Sequence, residues 1–447
     1  MKLVWFRNDL RTVDNHALYH ACSLGEGVIA VAAISPEQWL QQDEAKCRVQ
    51  FWLANLQQLS KDLEKLNIPL KVIFTDSNEE IPEKLFALAK EHAVTGLFFN
   101  KEYAEYELLR DQRVEQLFGR NSINCSSYDC DLVMPAGTIL NQQGEPYRVF
   151  TPFSRRWRAE FIRINPQPLP APAPQLEHSI PADPIPYQIN YANCLGADWN
   201  NTLWPAGADH AHQRLQTFVT TKLSEYPNER DFPALEATSS LSPYLSMGVL
   251  SVRQCLAALK TYSQDESWFD NQWVTELIWR EFYRHLLVLY PEMNRWQPFK
   301  PEVEQRIIWH QDNALFNAWC EGNTGFPLVD AGMRQLLETG WMHNRLRMVT
   351  ASFLTKLLRQ DWRLGARFFM QHLIDGDFAS NLGGWQWSAS VGADAAPYFR
   401  IFNPLRQSER FDPDNIFIKQ WILSGSISPV IDYASARKLS IDEYNRS

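Results

Sequence analysis

Short apolar runs alternate with amphipathic stretches over the first 130 residues of the chain. Four runs have the length and composition of buried strands: KLVWF, GVIAVAAI, LKVIF and VTGLFFN. Residues 46–67 and the stretch from Glu102 to Phe118 carry apolar positions at helical spacing. Strands and helices that alternate in this way predict βαβ units, and therefore a parallel sheet covered on both faces.

The pattern changes at a proline-rich stretch. Eight prolines lie between Pro166 and Pro186, which excludes a helix or a central strand and predicts an extended connector over the surface. Beyond Asn200 the spacing is helical almost throughout. We therefore predict an α/β domain over residues 1–130, an interdomain linker over 131–199 and a helical domain over 200–447.

Charge is distributed unevenly along the chain. The net charge of −9 at first argues against a nucleic-acid partner, but residues 1–150 alone hold 15 Lys and Arg against 21 Asp and Glu. Residues 341–372 hold six Lys and Arg, interleaved with aromatics, and a single acid, Asp361. This segment predicts either a footprint for a phosphate backbone or a solvated helix face.

Other features limit the class of protein. The seven cysteines are scattered without a C-x-x-C pair, and the ten histidines form no H-E-x-x-H, so we expect neither a disulfide framework nor a metal site. There is no signal peptide, and no apolar run of membrane-spanning length. No G-x-G-x-x-G follows the first strand. We expect a cytoplasmic protein that does not contact a membrane.

Chemistry-bearing residues concentrate in the helical part. On the predicted helix from Trp273 to Leu287, Glu276 shares a face with Trp279, Arg280 and Tyr283. Glu276 either pairs with Arg280 at the surface or is held neutral among the aromatics, where it can donate a hydrogen bond. The hydroxyl-rich stretch ATSSLSPYLSMG fits phosphate binding at a helix start or a simple cap.

The acidic stretch Asp375 to Asp377 fits an ion pair with a nearby arginine better than a metal site. The stretch that follows, ASNLGGWQWSAS, places a glycine pair where it weakens a helix. Its two tryptophans, Trp385 and Trp387, are two positions apart and therefore point in different directions on a helix. Each alone is explained most simply as core filling.

Together and in order, these segments resemble the DNA photolyase/cryptochrome family, and most closely its bacterial class I cyclobutane pyrimidine dimer photolyases. The motifs that carry the resemblance are LVWFRNDLRTVDN, EYPNERDFP, TSSLSPYLSMG, ELIWREFYRHL, TGFPLVDAGMRQLLETGWMHNRLRMVTASFL, DGDFASNLGGWQWSAS and DAAPYFRIFNP. The resemblance covers nearly the whole chain. It implies light-driven repair by electron transfer from reduced FAD to a flipped-out dimer and back.

The resemblance also implies which residues bind FAD in the helical domain. They are Tyr226, Thr238, Ser239, Ser240, Leu241, Ser242, Trp273, Arg280, Arg347, Asp375, Gly376, Asp377 and Asn381. Arg347 and Asp375 are expected to pair beside the flavin ring, and Asp377 to reach the ribityl chain or ring edge. The family commonly has arginine where this chain has Ser240, which removes a charge near the phosphates.

By the same resemblance, Trp385, Trp362 and Trp309 form an electron-hopping chain from the flavin to the surface. Asn381 is expected to face flavin N5 and to favour the reduced anion, which points to repair. The six-four photolyases carry histidines at the positions of Asn344 and Met348, so this chain is expected to act on cyclobutane dimers. Glu276 would then hydrogen-bond the dimer's carbonyl and stabilise its radical anion.

For damaged DNA, the resemblance implies base flipping and a set of contact residues around the cavity mouth. They are Arg230, Glu276, Trp279, Tyr283, Asn344, Arg345, Trp387, Arg400, Arg406 and Gln407. Trp279 and Trp387 are expected to wedge against the flipped dimer.

The family also suggests a light-harvesting antenna between the two domains. Glu107 retains the acid that binds the pterin amino group of methenyltetrahydrofolate in folate-binding members. Tyr106 replaces an asparagine and Arg295 a lysine, which keeps the charge but changes its geometry. We expect folate, with a deazaflavin or an empty site as alternatives.

Two other functions remain open at this stage: a cryptochrome-type blue-light photoreceptor and a flavin oxidoreductase that does not act on DNA. The basic segment and the missing nicotinamide fingerprint argue against the oxidoreductase. The segment between Trp421 and Ser428 is short compared with the family, which does not by itself favour signalling. We expect a monomer.

Overall fold

The structure is a computed structural model that describes residues 1–77, 79–186, 194–263, 266–422 and 427–445. The segment expected to be shortened, between Trp421 and Ser428, lies largely outside the described residues. Within the described ranges, no helix is both long enough and apolar enough to cross a membrane.

A parallel sheet of five strands forms the N-terminal part, in the order β3-β2-β1-β4-β5. The strands are β1 Lys2–Phe6, β2 Val28–Ile34, β3 Leu70–Phe74, β4 Gly96–Asn100 and β5 Asn124–Tyr128. In the register, Val4 lies beside Ala30 on one side and Phe98 on the other. The α/β fold with a parallel sheet is confirmed.

Helices cover both faces of this sheet. They are α1 His16–Cys22, α2 Pro36–Gln41, α3 Lys46–Glu64, α4 Ile81–Glu91 and α5 Glu105–Arg120. Trp5 belongs to a buried cluster with α4 and α5, whereas Val4 and Phe6 belong to the cluster that includes α1, α3 and the helical part. Alternate residues of one strand therefore serve two cores, as the pleat requires.

The region expected to be an interdomain linker contains a helix and an extended segment. Helix α6, Phe150–Ile164, packs against α11, Gln272–Leu289. Residues 165–186 form neither helix nor strand. The amide of Asp183 donates to Leu70 O (2.8 Å), and its carboxylate accepts from the amide of Val72 (2.9 Å). The connector thus covers the outer edge of β3. The proposed domain boundaries remain predictions.

The rest of the described chain is helical. Its remaining helices are α7 Ala208–Thr217, α8 Tyr226–Glu229, α9 Ser242–Ser246, α10 Val252–Tyr262, α12 Pro301–Glu304, α13 Asn313–Cys320, α14 Pro327–Thr339, α15 Asn344–Ser352, α16 Trp362–Met370, α17 Phe378–Ser388, α18 Pro404–Phe411, α19 Ile416–Trp421 and α20 Tyr433–Tyr444. Short π-helical turns, Phe218–Lys222 and Phe353–Leu357, extend α7 and α15, and 3-10 turns occupy Glu266–Asp270 and Pro291–Arg295. Helices α11, α15 and α16 each contact α17.

Candidate functional site

Helix α17 carries the residues that the sequence motif brings together. It is continuous through the glycine pair, so the expected weakening there does not interrupt the helix. Asp377 caps its first turn by accepting from the amide of Ser380 (2.9 Å), and Leu382 and Trp385 are buried along it. An end cap and tertiary packing therefore outweigh the low helix propensity of glycine.

The two glycines have different surroundings. A Cβ built on Gly383 would lie 2.1 Å from the ring of Tyr283, so this glycine allows α17 to approach α11. A Cβ on Gly384 would meet no atom within 4 Å, so Gly384 borders open space. Of the two glycines, therefore, only Gly384 leaves room for a ligand beside α17.

Asn381 lies one helical turn before Gly384 and borders the same space. Its side-chain amide nitrogen donates to Ala366 O (2.9 Å), which fixes the orientation of the amide. The carbonyl oxygen is thereby left as an acceptor on the half-buried side. This arrangement fits a ligand that presents an N–H group to α17.

Trp385 and Trp387 face different surroundings, as their spacing predicts. Trp385 is 2 % exposed and packs edge-on against Phe369 (ring centroids 5.0 Å apart) and Trp319 (6.0 Å). A Cβ on Gly365 would lie 2.2 Å from the Trp385 ring, so this indole rests directly on α16. Trp387 is only partly buried, as a residue that contacts a ligand at the surface would be.

Trp362 begins α16, three residues before the contact of Trp385 with Gly365. The indole N–H groups of Trp362 and Trp309 both donate to Oε1 of Glu304, at 2.9 and 3.4 Å. The two indole nitrogens therefore lie no farther apart than the sum of these distances. Trp362 is fully buried and Trp309 partly exposed, so the three tryptophans run from the interior towards the surface.

Ion pairs surround the start of α17. Arg347 on α15 pairs with Asp375 (2.8 and 3.0 Å), in the arrangement that the resemblance implies. Asp377 pairs with Arg284 (2.6 Å) and lies on the wall of the interdomain cleft together with Gly376. Both aspartates are thus paired with arginines, in keeping with the ion-pair interpretation of this acidic stretch.

The hydroxyl-rich turn precedes α9. Ser240 has a left-handed backbone (φ 49°), and its hydroxyl lies 3.3 Å from that of Thr238. Ser239 and Leu241 complete the turn, and the Ser242 hydroxyl accepts from the indole of Trp341 (3.4 Å). Several hydroxyl groups are therefore gathered at one turn, as phosphate binding requires.

Two buried aromatic residues lie near each other on neighbouring elements. Tyr226 and Trp273 both contact Phe218, with ring centroids 5.5 and 4.9 Å apart. The guanidinium of Arg230 lies 5.3 Å from the centre of the Tyr226 ring. Burial raises the pKa of the Tyr226 hydroxyl, so this side chain stays neutral.

Glu276 has a different partner from the one considered in the sequence. Its Oε1 accepts from Arg230 (2.6 Å) and from Gln272 (2.8 Å), so the carboxylate is paired. Arg280 is not available to it, because Arg280 pairs with Asp131 and also donates to Asp131 O (3.0 Å). The prediction of a surface ion pair between Glu276 and Arg280 is therefore wrong.

An aromatic wall continues from Glu276 along α11. Trp279 stacks on Phe150 of α6, with ring centroids 3.7 Å apart and planes inclined by 5°. Tyr283 lies 5.6 Å from Trp279, centroid to centroid. The stack fixes the orientation of the Trp279 indole, which remains partly exposed.

Asn344 and Met348 lie one turn apart on α15, with the amide nitrogen 4.0 Å from the sulfur. Arg345 is directed away from them: it pairs with Asp231 (2.5 Å) and lies over Phe411. Further along the chain, Arg400 and Arg406 are exposed, while Gln407 has a buried side-chain oxygen without a partner.

Acidic side chains neutralise most of the basic segment 341–372. Four of its arginines pair with acids: Arg345 with Asp231, Arg347 with Asp375, Arg359 with Glu443 and Arg363 with Glu304. Lys356 is fully buried, and Arg367 lies over Trp296. Acids distant in sequence neutralise the segment, so it is mainly an internal ion-pair region.

A cleft of about 1600 Å³, open to solvent, separates the α/β part from the helical part. Glu107 lies on its wall and accepts from Gln42 through Oε1 (2.6 Å), whereas Oε2 is buried without a partner. Burial, and secondarily Glu102, raises the pKa of Glu107. An unpartnered buried carboxylate oxygen fits a ligand with an amino group.

The other two expected antenna residues lie nearer the mouth of the cleft. Tyr106 is 65 % exposed. Arg295 pairs with Glu105 (2.5 Å) and is 71 % exposed, so its charge is directed to that glutamate.

The sequence analysis did not identify several residues of the site. Asp131 pairs with both Arg280 and Arg284, Phe150 supports Trp279, and Glu304 joins Trp362 to Trp309. Phe150 lies in the aromatic stretch VFTPF, which was a usable signal. Asp131 and Glu304 are single acids in unremarkable segments, and no local pattern distinguishes them.

Comparisons with known proteins agree with this geometry. A model described as DNA photolyase matches residues 2–175, and one described as the FAD binding domain of DNA photolyase matches residues 273–443. The deoxyribodipyrimidine photo-lyase of Vibrio cholerae is 43 % identical over 427 residues, covering 94 % of this chain and 90 % of the relative. That of Escherichia coli is 42 % identical over 423 residues, covering 94 % and 88 %.

Solved structures give the same result. A class III photolyase from Agrobacterium tumefaciens has a TM-score of 0.85 at 31 % identity, covering 99 % of this chain and 96 % of the other. An archaeal photolyase from Sulfolobus tokodaii, solved with two FAD molecules, has a TM-score of 0.82 at 27 % identity, covering 99 % of each. The chain belongs to the DNA photolyase family.

Proposed function

We propose that this enzyme is a deoxyribodipyrimidine photo-lyase that repairs cyclobutane pyrimidine dimers in DNA with light. When bound, FAD in its reduced form supplies the electron that light drives onto the dimer, and the electron returns after the ring bonds break. The observation that carries the proposal is the fixed amide of Asn381 beside the open space at Gly384.

Asn381 has its carbonyl oxygen free as an acceptor, and with FAD bound this oxygen would accept a hydrogen bond from N5–H of the reduced flavin. The Arg347–Asp375 pair would hold the flavin ring from one side, and the Arg347 charge would favour its anionic form. The turn from Thr238 to Ser242 would hold the FAD phosphates through its hydroxyl groups. Ser240 supplies no charge there, so binding depends more on hydrogen bonds than in relatives with arginine.

Glu276 and the aromatic wall receive the dimer. In its protonated form, Glu276 donates a hydrogen bond to a dimer carbonyl and stabilises the negative charge that develops on it. Arg230, already bonded to Glu276, adds a positive charge to the same place. Trp279 and Trp387 contact the flipped dimer, and Trp279 is held for this by its stack on Phe150.

Asn344 and Met348 favour cyclobutane dimers over six-four products, because neither side chain can act as the proton donor that a histidine provides. The exposed Arg400 and Arg406 bind DNA phosphates outside the cavity. Arg230 and Arg345 support this surface from within through their carboxylate partners.

The variant Glu276→Gln tests the assignment of the dimer site. Gln keeps the shape of the side chain but replaces the acidic O–H donor with a weaker amide N–H donor, so repair per absorbed photon is expected to fall at least about tenfold. Binding of a dimer-containing oligonucleotide is expected to change less than threefold, because phosphate contacts dominate affinity. Equal losses of repair and binding would show that Glu276 only positions the DNA.

For the antenna we propose methenyltetrahydrofolate in the interdomain cleft. Support comes from the unpartnered Oε2 of Glu107, which fits the amino group of a pterin. Tyr106 is exposed near the mouth, where its ring can stack on the ligand. Arg295 takes part only if it leaves Glu105.

A further inference from the structure

Trp362 has two routes towards solvent. One leads to Trp309 through the carboxylate of Glu304, which accepts from both indole N–H groups. The other leads to Trp296, whose ring centroid lies 6.1 Å from that of Trp362 and which lines the interdomain cleft. Both neighbours are tryptophans, so ring chemistry alone does not decide which one passes an electron to Trp362.

The charges around the two routes are opposite. Glu304 places a negative charge directly on the N–H edges of Trp362 and Trp309. Arg363 partly offsets it, since it donates to both Glu304 oxygens (2.9 Å each), but Asp361 also pairs with Arg363 (3.1 Å). The three charged groups together leave one net negative charge at this junction.

At Trp296 a cation lies over the ring. The guanidinium of Arg367 lies 5.4 Å from the centre of the Trp296 ring. Within the described part of the chain, no carboxylate lies within ion-pair distance of Arg367. An oxidised tryptophan carries a positive charge, which a carboxylate stabilises and a guanidinium destabilises. The free energy of the oxidised state is thereby lowered on the Trp309 side and raised on the Trp296 side.

We propose that Trp362 is a branch point and that Glu304 directs oxidation outward to Trp309 instead of Trp296. Trp385 gives one electron to the light-excited oxidised flavin and is refilled by Trp362, which is refilled by Trp309. Trp309 ends one electron short, and an external thiol supplies that electron and is itself oxidised. The proposal rests on the proposed function and on the electron-hopping chain of Trp385, Trp362 and Trp309 that the family resemblance implies. Glu304 acts as a positioning and electrostatic residue within that chain.

The test is photoreduction of the oxidised holoenzyme with an added thiol, followed by absorbance. Glu304→Gln keeps an acceptor for both indoles and removes the charge, so the rate is expected to fall at least fivefold. Glu302→Gln, an exposed neighbour on the same segment, is the matched control and is expected to match the wild type. Trp296→Phe alone is also expected to match the wild type.

Combining the changes reveals the second branch. With Glu304→Gln present, part of the remaining electron flow passes through Trp296, so adding Trp296→Phe is expected to slow photoreduction at least twofold more. The indole N–H resonances of Trp362 and Trp309 in the dark holoenzyme check that Gln preserves both hydrogen bonds. They are expected to stay hydrogen-bonded in Glu304→Gln and to shift in Glu304→Ala.

The outcomes distinguish an error in the hopping chain from an error in the role of Glu304. If Trp362→Phe photoreduces like the wild type, the hopping chain itself is wrong. If Trp362→Phe is blocked while Glu304→Gln photoreduces at the wild-type rate, the chain stands and the proposal about Glu304 is overturned. A loss in Trp296→Phe as large as that in Trp309→Phe would also overturn it.

Discussion

Lys356 is a fully buried cation that has no carboxylate within ion-pair distance among the described residues. Its amino group donates to the Ser390 hydroxyl (2.7 Å) and to the carbonyl oxygens of Pro397 (3.4 Å) and Arg400 (3.4 Å). These acceptors hold the loop that presents Arg400 and the 59 % exposed Phe399. A side chain in the core thus orders a loop assigned to DNA contact.

Burial lowers the pKa of Lys356 to about 7 from an ordinary value of 10.5. Between these values the folded protein binds fewer protons than the unfolded chain, so stability rises as the pH rises from about 7 towards 10. Below pH 7 the full cost of burying the charge is present. We predict that Lys356→Met flattens this rise in the free energy of unfolding, measured by denaturant titration at several pH values.

The same variant is expected to weaken binding to dimer-containing DNA severalfold, because the loop loses its hydrogen bonds. An unchanged slope of stability against pH relative to the wild type would contradict the assignment of this titration to Lys356.

The packing of helix α16 against helix α17 sets the geometry of the site. Gly365 lets Trp385 rest on α16, while Gly384 on α17 borders the space assigned to the flavin. The two glycines differ in the room available to a methyl group, so alanine at each position reports a different property.

We predict that Gly365→Ala lowers the free energy of unfolding by about 1–3 kcal/mol, because the methyl group overlaps the Trp385 ring. Gly384→Ala is expected to leave the fold intact, since its methyl group meets open space and alanine favours a helix by up to about 1 kcal/mol. It should instead reduce FAD affinity at least about tenfold. Thermal unfolding measures the loss of stability in Gly365→Ala, and flavin content after dialysis measures the loss of FAD affinity in Gly384→Ala. If Gly384→Ala retains a normal amount of flavin, the flavin does not bind at this face of α17.

Most elements were predictable, and the exceptions have physical reasons. The apolar runs of β1 to β4 identify buried strands, whereas β5, NCSSY, is a polar strand paired on one side only and carries no such signal. The motif around Asn381 and Trp385 identified the site helix. Asp131 and Glu304 could not be found, because their contacts come from segments far away in sequence, and local pattern contains no such pairing.

The whole molecule is built around the cleft between its α/β and helical parts. An antenna chromophore bound in this cleft beside Glu107 would absorb light and pass its energy to the helical site. Glu107 is a half-buried acid with one buried, unpartnered oxygen, and Glu105 is a neighbouring acid already paired with Arg295. The two glutamates therefore form a matched pair for testing the antenna.

We predict that wild-type protein reconstituted with methenyltetrahydrofolate gains a near-ultraviolet absorption band. Glu107→Gln should lose most of this band because the amide cannot replace the carboxylate, with flavin absorption unchanged. Glu105→Gln should keep it. No band in the reconstituted wild type would contradict the folate antenna, and a different chromophore released from purified protein would identify its replacement.

Light-driven repair of cyclobutane dimers can be measured on two defined oligonucleotides. Reduced holoenzyme is mixed with an oligonucleotide that contains a single thymine dimer, and intact thymines are counted after blue or near-ultraviolet light and after the same time in darkness. A second oligonucleotide carries a six-four product. We predict repair of the cyclobutane dimer in light alone and no repair of the six-four product; repair in darkness, or of the six-four product alone, would contradict the account.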